Sequence, residues 1–171
     1  GTNGLPLIMI AVAVQGIVKD GILLWAPSYF REVHGVGAAG AVPYLLWIPV
    51  ANFAGVLGAG WINQRTGQRT TLTTTMLFAA AAAGLLVLNL AGGSGPILST
   101  VLLSIVCAAM YGANTILLGM VPLGFAREGK VAAVAGVLDF VAYGASGLSS
   151  LFTGLLAGTM TWGGLMAFWM A

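Results

Sequence analysis

The chain has 171 residues, of which 59% are hydrophobic and only 6% are charged, and its mean hydropathy is +1.01. So few polar side chains cannot coat a globule in water, which excludes a soluble protein and makes lipid the expected solvent. The net charge of +2 comes from few ionisable groups. No basic run suits a phosphate backbone, so a nucleic-acid-binding protein is excluded as well.

Long uncharged runs predict several membrane-spanning helices. No charged residue occurs from Gly35 to Gln64 or from Thr70 to Ala126, and a helix needs about 20 predominantly apolar residues to cross a bilayer. The runs are continuous and do not alternate in polarity, which favours helices over a β-barrel. Turn-forming and charged residues predict five full spans and a truncated sixth, at 5–30, 39–62, 70–91, 97–121, 131–158 and from Trp162 onward.

The basic residues of the loops predict the orientation of the chain. Arg65 and Arg69 follow the second span and Arg127 and Lys130 follow the fourth, whereas the opposite side offers only Arg31. Because positive residues stay on the cytoplasmic side, the first span is expected to start in the cytoplasm. We expect a multi-pass protein of the cell membrane, in particular a bacterial cytoplasmic membrane.

A charged pair of residues interrupts the first span. Lys19 lies near its middle, where a lysine costs about 2.5–3.5 kcal/mol on the insertion scale. Such residues usually face the bundle interior or a water-filled cavity, which predicts substrate or ion handling; a structural ion pair or a snorkelling lysine is the alternative. Asp20 points about 100° away from Lys19 on a helix, so it is expected to cap or break the helix before Gly21 and not to face Lys19.

Neutral polar residues share helix faces with these charges. Gln15 lies four residues before Lys19, and Tyr111 and Asn114 recur at helical spacing in the fourth span. For the last two, hydrogen bonding between helices is the alternative interpretation, because polar residues commonly join membrane helices. The three neutral side chains are candidates for lining a site around Lys19.

The fifth span adds an acidic residue and many glycines. Asp139 and Tyr143 are four residues apart, so they share a face that could meet Lys19 across a cavity. With Gln15 and the fourth-span residues they could line an aqueous site in mid-membrane. Glycines of this span predict close helix packing; they are Gly136, Gly144, Gly147, Gly154 and Gly158.

No catalytic or metal-binding arrangement is predicted. His34 is the only histidine and is expected to be a solvated residue of an external loop. Cys107 is the only cysteine, and a small buried apolar side chain is its expected role. A metal cluster or a Ser-His-Asp triad therefore lacks partners, no cofactor is expected, and an enzyme is the least favoured class.

The connection between the second and third spans carries a motif. Gly60, Arg65, Gly67 and Arg69 resemble the loop motif of the major facilitator superfamily, in which a glycine precedes Asp-Arg, a glycine and basic residues. Gln64 replaces the usual aspartate, which weakens any gating ion pair. An ordinary cytoplasmic turn would explain the charges but less easily their spacing.

The first span is similar to a more specific pattern. Its segment VKDGILLWAPSY, residues 18–29, resembles the seventh helix of the organophosphate:phosphate antiporters, which include glycerol-phosphate and hexose-phosphate transporters. Those relatives have a basic residue, usually arginine, at the position of Lys19, and a tyrosine at the position of Gly16. The resemblance continues at 111–112 and from 135–136 to 143–144, so it covers nearly the whole chain.

The resemblance implies a fold and a function. Residues 1–171 would be the C-terminal half of a major facilitator transporter: an all-α half-bundle of two inverted three-helix repeats, comprising helices seven to eleven and the start of twelve. Lys19 would bind the substrate phosphate, and Tyr111 and Tyr143 would line the site from helices ten and eleven. The expected activity is exchange of an organophosphate for inorganic phosphate by alternating access. The expected partners are the lipid bilayer, that small anion and the absent N-terminal half.

Two alternatives stay open. Asp139 places an acidic group on the same side as Lys19, which would also fit a proton-coupled transporter of another small solute. A sensor of the same fold would bind an organophosphate without moving it.

Overall fold

The computed structural model describes residues 4–91, 94–156 and 161–170. These ranges are almost entirely helical and contain no strand. Five helical segments in them are long and apolar enough to cross a membrane, which makes the chain a multi-pass membrane protein as predicted. The predicted end of the fifth span at Gly158 lies outside the described residues.

The first span is one uninterrupted helix, α1, from Leu5 to His34. It ends at Gly35, which adopts the left-handed conformation (φ 64°) that suits a glycine after a helix. The predicted break at Asp20 is wrong, because the Asp20 carboxylate bonds to a side chain and leaves the helical backbone intact. At about 1.5 Å per residue, 30 residues span about 45 Å, enough to cross the membrane and project beyond it.

The second span lies where it was predicted but consists of two helical segments. Helix α2 covers Ala38–Leu45 and α3 covers Trp47–Arg65. Pro49 explains the break, since it has no N–H to bond to the carbonyl of Leu45 and its ring crowds that carbonyl. Leu46 between the two helices keeps helical dihedral angles (φ −62°, ψ −23°), and Ala38–Arg65 as a whole is long and apolar enough to cross the membrane.

The third span matches its prediction and the fourth is longer than predicted. Helix α4 covers Thr70–Ala91, and α5 covers Pro96–Asn114. A π-helical turn, Thr115–Met120, and a 3₁₀ segment, Pro122–Glu128, continue α5. Pro122 cannot donate a backbone hydrogen bond, which favours irregular winding here. The chain then forms α6 over Val131–Leu156 and α7 over Trp162–Met170.

Polar contacts join three helices, α1, α5 and α7, at one end of the bundle. His34 is the last residue of α1, and its Nε2 lies 2.9 Å from Ser99 Oγ at the start of α5. The hydroxyl of Tyr29 is 3.2 Å from the same Ser99 oxygen, and Trp162 Nε1 donates to a Glu32 carboxylate oxygen at 3.0 Å. The prediction of His34 as a solvated loop residue is wrong, because α1 extends a turn further than predicted and carries this histidine onto α5.

The opposite end holds the start of α1 and the basic connections. Gly4 and Leu7 line one groove together with Thr70 of α4 and Val121. The connections that carry Arg65 and Arg69 and that carry Arg127 and Lys130 therefore lie at the same end as the start of α1. This arrangement has the charge asymmetry that the positive-inside rule requires.

Cysteine labelling tests this orientation. Native Cys107 is fully buried and should not react, so single introduced cysteines report on the two ends. We expect Gly37→Cys to react with a membrane-impermeant maleimide on intact cells and Ala126→Cys only after permeabilisation. The reverse pattern would establish the inverted topology.

Glycines allow two pairs of helices, α1 with α6 and α3 with α5, to come into close contact. A Cβ at Gly16 of α1 would lie 2.6 Å from the Ala142 carbonyl oxygen of α6, and one at Gly55 of α3 would collide with the Ala108 backbone of α5. A Cβ at Gly112 of α5 would lie 3.0 Å from the Gly55 oxygen. Gly16 and Gly55 face backbone alone, and Gly112 faces the Ala59 Cβ at 2.9 Å as well as backbone. None of these atoms can move aside as the end of a flexible side chain can, so the three positions favour glycine.

The fifth-span glycines pack differently from the prediction. A Cβ at Gly136, Gly144, Gly147 or Gly154 of α6 would meet no atom within 4 Å in the part of the chain that is described. Gly158 lies outside that part. The predicted close packing at the four described positions is therefore absent here, because they lie on the side of α6 that faces away from α1.

A pair of alanine substitutions in α3 tests the packing. Gly55→Ala should lower the free energy of unfolding by about 1–3 kcal/mol, because the new methyl group collides with the α5 backbone. Gly58 faces open space, so Gly58→Ala should raise stability by up to about 1 kcal/mol through helix propensity. Equal effects of the two substitutions in thermal or denaturant unfolding in detergent would contradict the close α3–α5 contact.

Candidate functional site

The candidate site is centred on Lys19, which lies halfway along α1. Its side chain is only 7% exposed, so the ammonium is enclosed by protein at mid-membrane depth. A cation in such a place needs compensating partners, since desolvation of a charge is expensive. Three helices supply them.

The first partner is Asp20, the next residue in the chain. Lys19 Nζ donates to Asp20 Oδ1 at 2.7 Å, and the Asp20 side chain is 27% exposed. The prediction that these neighbours would not pair is wrong. Their Cβ atoms do point apart, but the long flexible lysine stem curls back to reach the carboxylate. Of the two groups, the carboxylate is the one nearer to the open side of the site.

Two tyrosines from other helices flank the same ammonium. Lys19 Nζ lies 5.1 Å from the ring centroid of Tyr111 on α5 and 5.4 Å from that of Tyr143 on α6. Both distances are within the range of cation–π attraction. The structure thus brings together three of the sequence-predicted site residues. Tyr111 is half-buried, whereas Tyr143 is 61% exposed and its ring covers the ammonium at the edge of the bundle.

Gln15 lies one turn from Lys19 on the same face of α1. It is fully buried, and neither its amide nitrogen nor its amide oxygen has a hydrogen-bond partner among the described residues. Buried amides are normally paired, because an unpaired one costs about 1–3 kcal/mol. Gln15 therefore offers an unused donor and acceptor beside the only buried ammonium of the described chain.

Asn114 and Asp139 lie further from the centre. Asn114 is the half-buried last residue of α5, three residues after Tyr111, and the π-helical turn begins directly after it. Asp139 is exposed on α6, one turn before Tyr143. Within the described residues, no hydrogen bond or ion pair joins either side chain to Lys19. The predicted contact between α1 and α6 is made by Tyr143 and not by Asp139. The carboxylate that pairs with Lys19 is that of Asp20.

The loop motif forms a tight turn between α3 and α4. Gly67 has φ 69° and Gln68 has φ 61°, so the chain reverses through two left-handed residues. Arg65 ends α3 with its guanidinium carbon 4.5 Å from the Trp61 ring centroid. Gly60 lies within α3, and Arg69 is exposed just before α4. Both arginines of the motif are surface charges.

A buried asparagine next to this turn, which the sequence analysis did not single out, forms hydrogen bonds with two other elements. The amide of Asn63 accepts a hydrogen bond from Thr73 Oγ1 at 3.1 Å and donates one to the sulfur of Met120 at 3.3 Å. Thr73 lies on α4 and Met120 in the π-helical turn, so one side chain connects three elements. In the sequence, an amide side chain near the end of an apolar helix could have indicated this residue.

Comparison with known proteins adds no assignment: no family model, curated protein or solved structure shows a significant match to this chain. The family assignment therefore stays a prediction from the residues of α1 and the loop. In the described ranges no three metal-ligating side chains lie together. The site can chemically offer one buried ammonium, its carboxylate partner, two phenol groups and one free amide.

Substitutions at Tyr143 test the cation–π contact. Tyr143→Ala should lower the free energy of unfolding by about 0.5–2 kcal/mol, whereas Tyr143→Phe should retain most of it because the ring remains. Phe140→Ala is the control, since Phe140 is a more exposed aromatic residue of the same helix. If Phe140→Ala and Tyr143→Ala were equally destabilising in detergent, the ring of Tyr143 would have no special relation to Lys19.

Proposed function

We propose that this chain is the C-terminal half of a major facilitator transporter that exchanges an organophosphate, such as a sugar phosphate or glycerol phosphate, for inorganic phosphate. The observation that carries the proposal is the buried ammonium of Lys19 at mid-membrane, reached by side chains of α1, α5 and α6. Transporters of this architecture bind substrate near the bilayer midplane, at the interface of their repeats.

The chemistry of the site favours an anion. Lys19 offers up to three donors and a positive charge, and the phenol groups of Tyr111 and Tyr143 can donate to phosphate oxygens. Gln15 has a free amide one turn away. Lysine lacks the bidentate fork of arginine, so it binds phosphate as a point charge and the neutral donors would set its orientation.

The burial of the helices supports an assembly with a second half. The most apolar window of the fourth span is 56% buried, but those of the second and fifth spans are only 17% buried. The exposed side of α6 carries Asp139 and Tyr143, and a charged residue facing lipid is expensive. An N-terminal half packed beside α6 would shield these residues and close the cavity around Lys19.

The mechanism that follows is alternating access. The two halves would rock about the site, exposing Lys19 first to one side of the membrane and then to the other. The turn at Gly67 and the connection at Arg127 would stay at the cytoplasmic end. Lys19 would attract the anion, and Tyr111 and Tyr143 would narrow the site around it.

Asp139 favours one alternative, a proton-coupled transporter of another small solute. It is an acidic group within a membrane span and is exposed in the described chain, so it could exchange protons with water in a central cavity. Proton uptake driven by substrate, and lost in Asp139→Asn, would support this alternative.

Transport assays on Lys19 test the main proposal. The full-length protein is reconstituted in liposomes loaded with inorganic phosphate, and uptake of labelled glycerol phosphate and hexose phosphates is measured. Lys19→Gln should abolish uptake, because the only buried cation of the described chain is lost. Lys130→Gln is the control, since Lys130 is an exposed loop residue and the substitution should leave uptake unchanged.

Two outcomes would contradict the proposal. Wild-type uptake that does not need internal phosphate would exclude exchange. Normal uptake by Lys19→Gln, with insertion verified, would place the substrate site elsewhere.

A further inference from the structure

We infer that the Asp20 carboxylate is a built-in anion that occupies Lys19 while the site is empty, and that substrate displaces it as Asp20 takes up one proton. This inference rests on the proposed function, because it assumes that Lys19 binds the transported anion. It adds a competitor for the ammonium and a coupling between anion binding and pH. Asp20 is thus a positioning residue that controls when Lys19 is available.

The surroundings of the ammonium make the two anions exclusive. Asp20 Oδ1 lies 2.7 Å from Lys19 Nζ, and ring faces of Tyr111 and Tyr143 cover two further directions at 5.1 and 5.4 Å. The side chain of Lys19 is 7% exposed, so little of the ammonium is free. A phosphate oxygen that binds Nζ must therefore take the place of the carboxylate oxygen.

Electrostatics then links displacement to protonation. The paired site is neutral, and adding an anion beside an ionised Asp20 would put two negative charges next to one ammonium. A like charge nearby favours the protonated form of a carboxylate, and the penalty for net charge is large in a site enclosed by protein and lipid. With Asp20 protonated, a monoanion on Lys19 leaves the site neutral, and a dianion such as sulfate leaves one net negative charge where an ionised Asp20 would leave two.

Displacement of Asp20 takes up one proton and replaces one hydrogen bond of Lys19 with another. A proton from water binds a carboxylate oxygen of Asp20, which is the more exposed member of the pair at 27%. The hydrogen bond from Lys19 Nζ to Asp20 breaks, and Nζ donates to an oxygen of the substrate. When the anion leaves, Asp20 releases its proton to water and returns to Lys19.

Few other groups near the pair can titrate. The other ionisable side chains near it are Tyr111 and Cys107 of α5 and Tyr143 of α6, and none of them is a carboxylate. Neither α4 nor α7 contains a charged residue. Asp139 of α6 is the other carboxylate on this side, so it must be tested separately.

Sulfate binding across about pH 4.5–8 tests the inference, because the charge of sulfate stays constant over that range. The full-length protein in nanodiscs is titrated by calorimetry, in two buffers with different ionisation enthalpies so that protons are counted. For wild type we expect uptake of about one proton per sulfate and an affinity that rises by up to about tenfold for each unit of falling pH.

Variants of the pair separate the carboxylate from the ammonium. Asp20→Asn should bind sulfate with the low-pH affinity of wild type at every pH and take up no proton. Asp20→Glu keeps a carboxylate, so its sulfate affinity should depend on pH as that of wild type does. Glu128→Gln is the matched control, because Glu128 pairs with Lys130 in an exposed connection; it should behave as wild type.

The remaining outcomes distinguish this inference from the proposed function. If Lys19→Gln loses sulfate binding but Asp20→Asn keeps the wild-type slope and proton count, the inference is wrong and the anion site stands. The inference would also be wrong if the pH dependence of sulfate affinity disappeared in Asp139→Asn and not in Asp20→Asn. If Lys19→Gln binds sulfate normally, or if wild type binds neither sulfate nor inorganic phosphate at any pH, the proposed anion site itself is wrong.

Discussion

An ammonium enclosed in the middle of a membrane helix constrains the helices around it. A lysine at that depth costs about 2.5–3.5 kcal/mol on the insertion scale, and here the compensation comes from three elements. Asp20 of α1 supplies the opposite charge, while Tyr111 of α5 and Tyr143 of α6 supply ring faces. Each contact acts over only a few ångströms, so the three helices must meet at the level of Lys19. The same residues that stabilise the charge therefore determine the geometry of the site.

Glycine makes that meeting possible. Gly16 lies one turn before Lys19, and a Cβ there would come 2.6 Å from the backbone oxygen of Ala142 on α6. The antiporters of the proposed family have a tyrosine at the position of Gly16. Such a side chain would hold α1 and α6 apart and move the ring of Tyr143 away from the ammonium. A glycine here therefore goes together with the buried Lys19–Asp20 pair one turn further along α1.

Hydropathy and charge predicted the number of spans, and the predicted limits of the third span are those of α4. The prediction was poorer where a local backbone feature acts, because average hydropathy does not report it. Pro49, near which the second span divides into two helical segments, is an example. The Lys19–Asp20 pair was missed because the angle between neighbouring Cβ atoms says little about where a long lysine stem can reach. Burial of Gln15 was not predictable from periodicity, since it depends on how the neighbouring helices pack against α1.

The π-helical turn at Thr115–Met120 has a consequence for how the fourth span is read. A π-helical turn contains one residue more than a regular turn, and one residue corresponds to a rotation of about 100° around the helix axis. A single helical wheel therefore cannot represent the whole span: the face that carries Tyr111 does not continue in phase beyond Met120. The sulfur of Met120 instead lies against Asn63 of α3. Mutational scans of this span should be interpreted as two separate registers, one on each side of the turn.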